Sequence, residues 1–98
     1  MENVIDMSQR LSEHFTLREM CLSGTAISKG IANVPDERTV ARLKALCVNV
    51  LEPLRRRFGV LRVTSGYRCP ALNEAVGGAR HSQHIRGEAA DLHVSSME

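Results

Sequence analysis

Tryptophan is absent from this 98-residue chain, and Phe15, Phe58 and Tyr67 are its only other aromatics. So sparse a set excludes a stacking platform of the kind that grips single-stranded nucleic acid, and leaves an aliphatic core as the way to fold. No run approaches the roughly 18 apolar residues of a membrane span, and the opening MENVIDMSQR lacks the apolar stretch of a signal peptide. Cys21, Cys47 and Cys69 are an odd number at wide spacing with no CxxC pair, which argues against a cysteine zinc site and a disulfide framework and suits a reducing compartment. Charge of one sign is also in short supply. A net +2 is too weak to be a nucleic-acid footprint. The basic residues do cluster, with Arg38, Arg42, Lys44, Arg55, Arg56, Arg57, Arg62 and Arg68 set against Glu52 alone between positions 38 and 68. Such a run reads first as a solvated helix face.

What is present suits one small globular domain. A mass of 10.8 kDa, 43% hydrophobic and 24% charged residues exclude a fibre or a disordered tail. Residues 1–11 read as a polar arm, 12–59 as a helical part and 60–98 as a strand–loop–strand part. Thr16 and Glu19 form a capping box for a short helix over about 16–21. Residues 22–34, rich in Gly, Ser and Asn, read as a loop. Beyond Pro35, placed in the first turn, Val40, Leu43, Cys47, Val50 and Leu54 recur at helical spacing, with Leu46, Leu51 and Phe58 broadening the stripe. The helix should run over about 36–58, end at Gly59, and kink or break near 49–52 because Pro53 lies inside it. VLRVTS (60–65) reads as a buried strand, Pro70 opens a short helix over 70–76 that Gly77-Gly78 ends, and EAADLHV gives a final strand over about 88–94. The fold class is therefore α+β, with amino-terminal helices on a small, mainly antiparallel sheet.

The chemistry concentrates in residues 64–93. Alternation along the last strand puts Ala90, Leu92 and Val94 on one face, facing the core, and Ala89, Asp91 and His93 on the other. His84 leads into Gly87, where the chain can turn sharply, so His84 and Asp91 can converge on one point. An imidazole and a carboxylate are standard ligands of Zn²⁺.

The string TSGYRCPALNEAVGGARHSQHIRGEAADLHV resembles zinc-dependent D-alanyl-D-alanine carboxypeptidases and the related dipeptidases and phage endolysins. The resemblance rests on Ser65-Gly66-Tyr67-Arg68, Asn73, Gly77-Gly78 and Ser82-x-His84-x-x-Gly87-x-Ala89-x-Asp91. The stretch from SEHFTLREM to VLEPLRRRFG also looks like the members that lead with such helices. The resemblance implies a hedgehog/D-Ala-D-Ala peptidase-type fold, Zn²⁺ as cofactor, metal-bound water as nucleophile, and a peptidoglycan stem peptide or other D-Ala-containing peptide as partner, with neither nucleic acid nor membrane. His84 and Asp91 match two metal ligands, and Arg68 matches the arginine that contacts substrate near the scissile bond. Ser82 suits a structural bond within the loop or a substrate contact. Tyr67 suits packing more than substrate binding, and Gly77-Gly78 turn geometry more than an anion cradle.

The family places a glutamate base and a third ligand histidine further along than this sequence runs. The resemblance thus implies a domain cut short at its carboxyl end, with low or no hydrolysis. His93, and after it His81, are the substitute ligands within reach. Glu88 has the wrong strand parity for a base, and Glu98 sits at the terminus. Strands lying beyond residue 98 would leave an unpaired edge that invites a homodimer. The competing reading is a non-catalytic module on the same fold, binding peptidoglycan or a phage protein. The expected location is cytoplasmic, with release to the cell wall by lysis or a holin-type route.

Overall fold

A computed structural model describes residues 5–94. Thr16 caps α1 (Leu17–Cys21), its hydroxyl accepting from the Glu19 N–H at 3.2 Å. Burial pushes the Glu19 carboxyl up, partly opposed by the nearby Thr16 backbone N–H, as a capping box arranges. The described part of the polar arm is held against the helical part. Gln9 C=O accepts from the Leu17 N–H at 2.9 Å, Leu11 N–H donates to Phe15 C=O at 2.8 Å, and the side chains of Leu11 and Phe15 lie in the core. Residues 1–4 lie outside the described residues.

The segment expected as a loop contains a helix, α2 (Gly24–Lys29). Ser23 caps it by accepting from the Ala26 N–H, and Gly30 ends it at φ 66°, the left-handed geometry of a C-terminal cap. Next, Asp36 caps α3 (Glu37–Leu46) by accepting from the Thr39 N–H at 2.8 Å, so Pro35 stands just outside the helix rather than in its first turn. A wide π-helical turn over Cys47–Leu51 then carries the chain into α4 (Glu52–Phe58), which ends at Gly59. Pro53 has no N–H for the carbonyl four residues back, and the ladder widens just ahead of it, with Glu52 N–H donating to Cys47 C=O. The extra residue in that turn shifts the apolar stripe. Leu43, Cys47 and Leu51 are buried, whereas Val50 and Phe58, expected on the inner face, are 46% and 47% exposed.

β1 (Leu61–Ser65) and β2 (Asp91–Val94) pair antiparallel, with Arg62 opposite His93, Val63 opposite Leu92 and Ser65 opposite Asp91. A bulge at Thr64 shifts the register, and its hydroxyl donates to Asp91 C=O at 3.1 Å. β1 is only half buried, against expectation: Leu61 is covered while Arg62 and Thr64 face solvent, because the two strands lay one face on the helices and leave the other open. β2 alternates likewise, with Leu92 and Val94 packed against the core and Asp91 and His93 exposed. Between the strands along the chain come α5 (Pro70–Ala75), which packs against α2, and a long loop. The core gathers Leu11, Phe15, Leu17, Met20, Leu43, Cys47 and Leu51 from the helical part and Leu61 and Tyr67 from the strand part, an α+β arrangement.

Candidate metal centre

The end of β1 is docked on α1 by one buried side chain, Asn33. Its amide donates to Cys21 C=O and to Tyr67 C=O, both at 2.9 Å, and its Oδ1 accepts from the Cys69 N–H at 2.7 Å. These bonds bracket Arg68 on both sides and fix its backbone. Arg68 N–H in turn donates to His84 C=O at 3.2 Å, bringing the long loop back against the strand. Gly87 completes the approach. Its φ is +73°, and a Cβ there would meet Thr39 Cγ2 at 2.9 Å, so the loop lies directly on α3.

Within this frame the His84 ring is fixed through Nδ1, which lies 2.7 Å from Gly66 C=O. A carbonyl can only accept, so Nδ1 carries the hydrogen and a neutral ring presents a bare lone pair at Nε2. Nε2 lies 3.5 Å from Asp91 Oδ2. That exceeds a normal N–H···O distance. With the ring neutral, two acceptors face each other there, an arrangement that a cation between them would satisfy.

Arg68 flanks the pair. Its Nη2 donates to Ser82 Oγ at 3.3 Å, and its buried Nε–H has no acceptor among the described residues. Ser82 Oγ also accepts from the His84 backbone N–H at 3.2 Å, so this hydroxyl joins the arginine to the histidine's main chain. The Tyr67 side chain is in the core, 8% exposed, with its phenol pushed up to about 12 by burial; it stays neutral and turned away from solvent. Tyr67 also lines a groove of about 390 Å³ beside β1, together with Leu22, Ser65, Arg68 and Val76. His93 stands opposite Arg62 on the exposed face, and neither it nor His81 brings a ring nitrogen within 4.8 Å of both ligand atoms of the His84–Asp91 pair. Glu88 is exposed and lines a groove with Arg42 and Leu46. Glu98 lies outside the described residues. Most of the basic cluster, including Arg38, Arg42, Lys44, Arg56, Arg57 and Arg62, is exposed on helix and strand surfaces.

One cluster that sequence reasoning missed is Glu13, His14 and Glu52, whose donor atoms lie within 4.8 Å of one another. Glu52 is buried, and its lone pairs are already engaged. Oε2 accepts from the Ser12 hydroxyl at 2.6 Å and the His14 N–H at 2.7 Å, and Oε1 lies 2.7 Å from His14 Nδ1. Burial by itself would raise this carboxyl, but the bonds from Ser12 and His14 outweigh it and hold the pKa at about 2. The cluster ties the segment before α1 to α4, a structural task. A lone acid in an arginine-rich run was the only sequence signal of it.

A profile of the family described as Peptidase M15 matches residues 13–98. The chain belongs to the peptidase M15 family. Membership makes it a metallopeptidase-type domain and agrees with the α+β architecture. No curated protein and no solved structure matches the chain. Among the described residues no helix is long and apolar enough to cross a membrane.

Proposed function

We propose that this M15 domain is a zinc peptidase for cell-wall peptides, of D-Ala-D-Ala carboxypeptidase or endopeptidase type, with His84 and Asp91 as two metal ligands and Arg68 as the substrate contact. The observation that carries the reading is the facing of His84 Nε2 and Asp91 Oδ2 across 3.5 Å, with Nδ1 engaged by Gly66 C=O. Two ligands at ~2.0–2.1 Å from a tetrahedral zinc lie ~3.3 Å apart, so the pair fits zinc in donor type and in separation. A carbonyl behind the second ring nitrogen is also the usual support of a ligand histidine, fixing its tautomer and raising its basicity. When bound, zinc supplies Lewis acidity toward a peptide carbonyl and lowers the pKa of water.

The chain's own groups do the positioning. Asn33 holds the backbone on either side of Arg68, and Ser82 holds one arm of its guanidinium. The guanidinium carries a fixed positive charge, which suits an oxygen that gains negative charge as an amide is attacked. Leu22 and Val76, exposed on the wall of the adjoining groove, offer apolar contact to a short peptide.

The test is metal content by plasma emission after purification without chelator, followed by zinc titration. Uptake lost in His84→Ala supports the reading. Less than about a tenth of an equivalent, with no uptake on titration, would sink it. Release of D-alanine from a D-Ala-D-Ala-terminated peptide marks a carboxypeptidase, and cleavage of an internal bond an endopeptidase. Binding of the peptide without cleavage by the zinc-loaded protein would favour the non-catalytic module.

A further inference from the structure

The loop that delivers Ser82 and His84 begins at a turn, Gly77–Ala79, and that turn is gripped by one buried side chain from α5. Asn73 is 4% exposed. Its backbone C=O accepts from the Gly78 N–H at 2.8 Å, and its amide Nδ2 donates to Ala79 C=O at 2.8 Å. The same Ala79 carbonyl accepts from the Ser82 N–H at 3.1 Å, Ser82 Oγ accepts from the His84 N–H at 3.2 Å, and the His84 ring reaches Gly66 C=O. A continuous run of hydrogen bonds therefore links Asn73 to the ring.

The two glycines of this turn serve different ends. Gly77 has φ +72° and open space around it, so it answers a backbone need. Gly78 has no positive φ, yet a Cβ there would sit 2.1 Å from Asn73 Oδ1 and 2.8 Å from its Cγ. Gly78 is small because Asn73 occupies the room.

We propose that Asn73, locked against Gly78, is a positioning residue for the candidate metal centre: it sets where the turn hands the chain to Ser82 and His84. The proposal rests on His84 and Asp91 being the metal-binding pair. Capping the end of α5 would be the structural alternative, and the two differ in what they change. A cap alters stability alone, whereas a positioning residue alters metal affinity.

Zinc affinity of the purified chain, measured by competition with a chromophoric chelator, reads the difference. Asn73→Ala should weaken zinc about 10-fold or more, as losses of ligand-supporting bonds do. Asn73→Asp should do at least as much, since it turns a second acceptor toward Ala79 C=O. Gly78→Ala should weaken zinc comparably, but Asn73→Ala/Gly78→Ala no further than Asn73→Ala, because the new methyl then occupies the space the amide left. His14→Ala, which loosens the contact of the segment before α1 with α4, should leave zinc affinity within about two-fold. Equal affinity in Asn73→Ala and wild type, or additive losses in the double variant, would overturn the proposal. Amide hydrogen exchange separates this from a failure of the zinc reading itself. If the wild type takes up no zinc, Asn73→Ala should still strip protection from the Ser82 and His84 amides while leaving α3 protected, and unchanged protection there would overturn the clamp.

Discussion

Two histidine–carboxylate pairs sit at opposite parts of this chain, and they are wired in opposite ways. In the helical part, His14 Nδ1 meets the buried Glu52 at 2.7 Å, a hydrogen-bond distance, and Ser12 and the His14 backbone take up the other carboxylate oxygen. In the strand part, His84 spends Nδ1 on a backbone carbonyl and turns its other nitrogen toward Asp91 at 3.5 Å. The Asp91 side chain is 66% exposed there and accepts no hydrogen bond from the described residues. Residue types alone do not separate these pairs. What separates them is the destination of the second ring nitrogen and the number of donors already on the carboxylate. The first pair is satisfied and holds the fold, whereas the second keeps two lone pairs facing each other and suits a cation.

The largest effect should come from exchanging the roles. His84→Ala should weaken zinc by at least about 100-fold, which corresponds to about 3 kcal/mol or more of binding, while His14→Ala leaves it nearly unchanged. A competition titration on both variants decides the matter. Should His14→Ala abolish uptake and His84→Ala spare it, the metal belongs to the Glu13–His14–Glu52 cluster and the comparison is inverted.

Next in size is the cost to the fold. Glu52→Ala leaves the Ser12 hydroxyl, the His14 N–H and the His14 ring without their shared acceptor in a partly buried site. A loss of about 3 kcal/mol is expected in urea denaturation, in the range seen when one partner of a buried charged pair is removed. A loss below about 1 kcal/mol would show that the cluster is ornamental to the fold.

The same cluster should give the protein its acid sensitivity. The Glu52 carboxyl lies at about 2 in the folded chain, below its ordinary value of 4.5. A lowered carboxyl contributes stability that is present above the unfolded value and is lost as pH falls from about 4.5 toward about 2. The urea midpoint of the wild type should fall across that window, and Glu52→Gln should flatten the fall. Some slope will persist, because hydrogen bonds from Ser8 and Thr39 also hold Asp6 and Asp36 below their usual range. An unaltered slope in Glu52→Gln would remove Glu52 from the account.

How far the sequence revealed this difference varies along the chain. Local signals spoke clearly where one residue and its near neighbours suffice. Thr16 caps α1, Gly59 ends α4, and alternation puts Asp91 and His93 opposite Leu92 and Val94. The helix α2 was hidden although Ser23 and Gly30 carry ordinary cap signals, because six residues are too few to show a period. The inward turn of Leu51 in place of Val50 depends on a π-helical turn, and Pro53 announced a disturbance without saying which kind. Asn33 and Glu52 were illegible for a different reason. Their partners lie up to 36 and 40 residues away, so only the folded chain reveals that one brackets Arg68 and the other anchors the segment before α1.

The smallest expected effect is the most discriminating one for the second pair. With metal chelated, Asp91→Ala should change stability by no more than about 0.5 kcal/mol. The side chain is mostly exposed, and with Nδ1 of His84 donating to Gly66 C=O a neutral ring turns only a lone pair toward it. Removing a carboxylate that faces another acceptor can even stabilise the chelated protein slightly. If Asp91→Ala instead cost about 2 kcal/mol under these conditions, His84 would have to be charged and bonded to Asp91, as a structural ion pair of the kind seen at Glu52. The strand part would then hold a second structural pair, and the zinc reading would lose the geometry on which it stands.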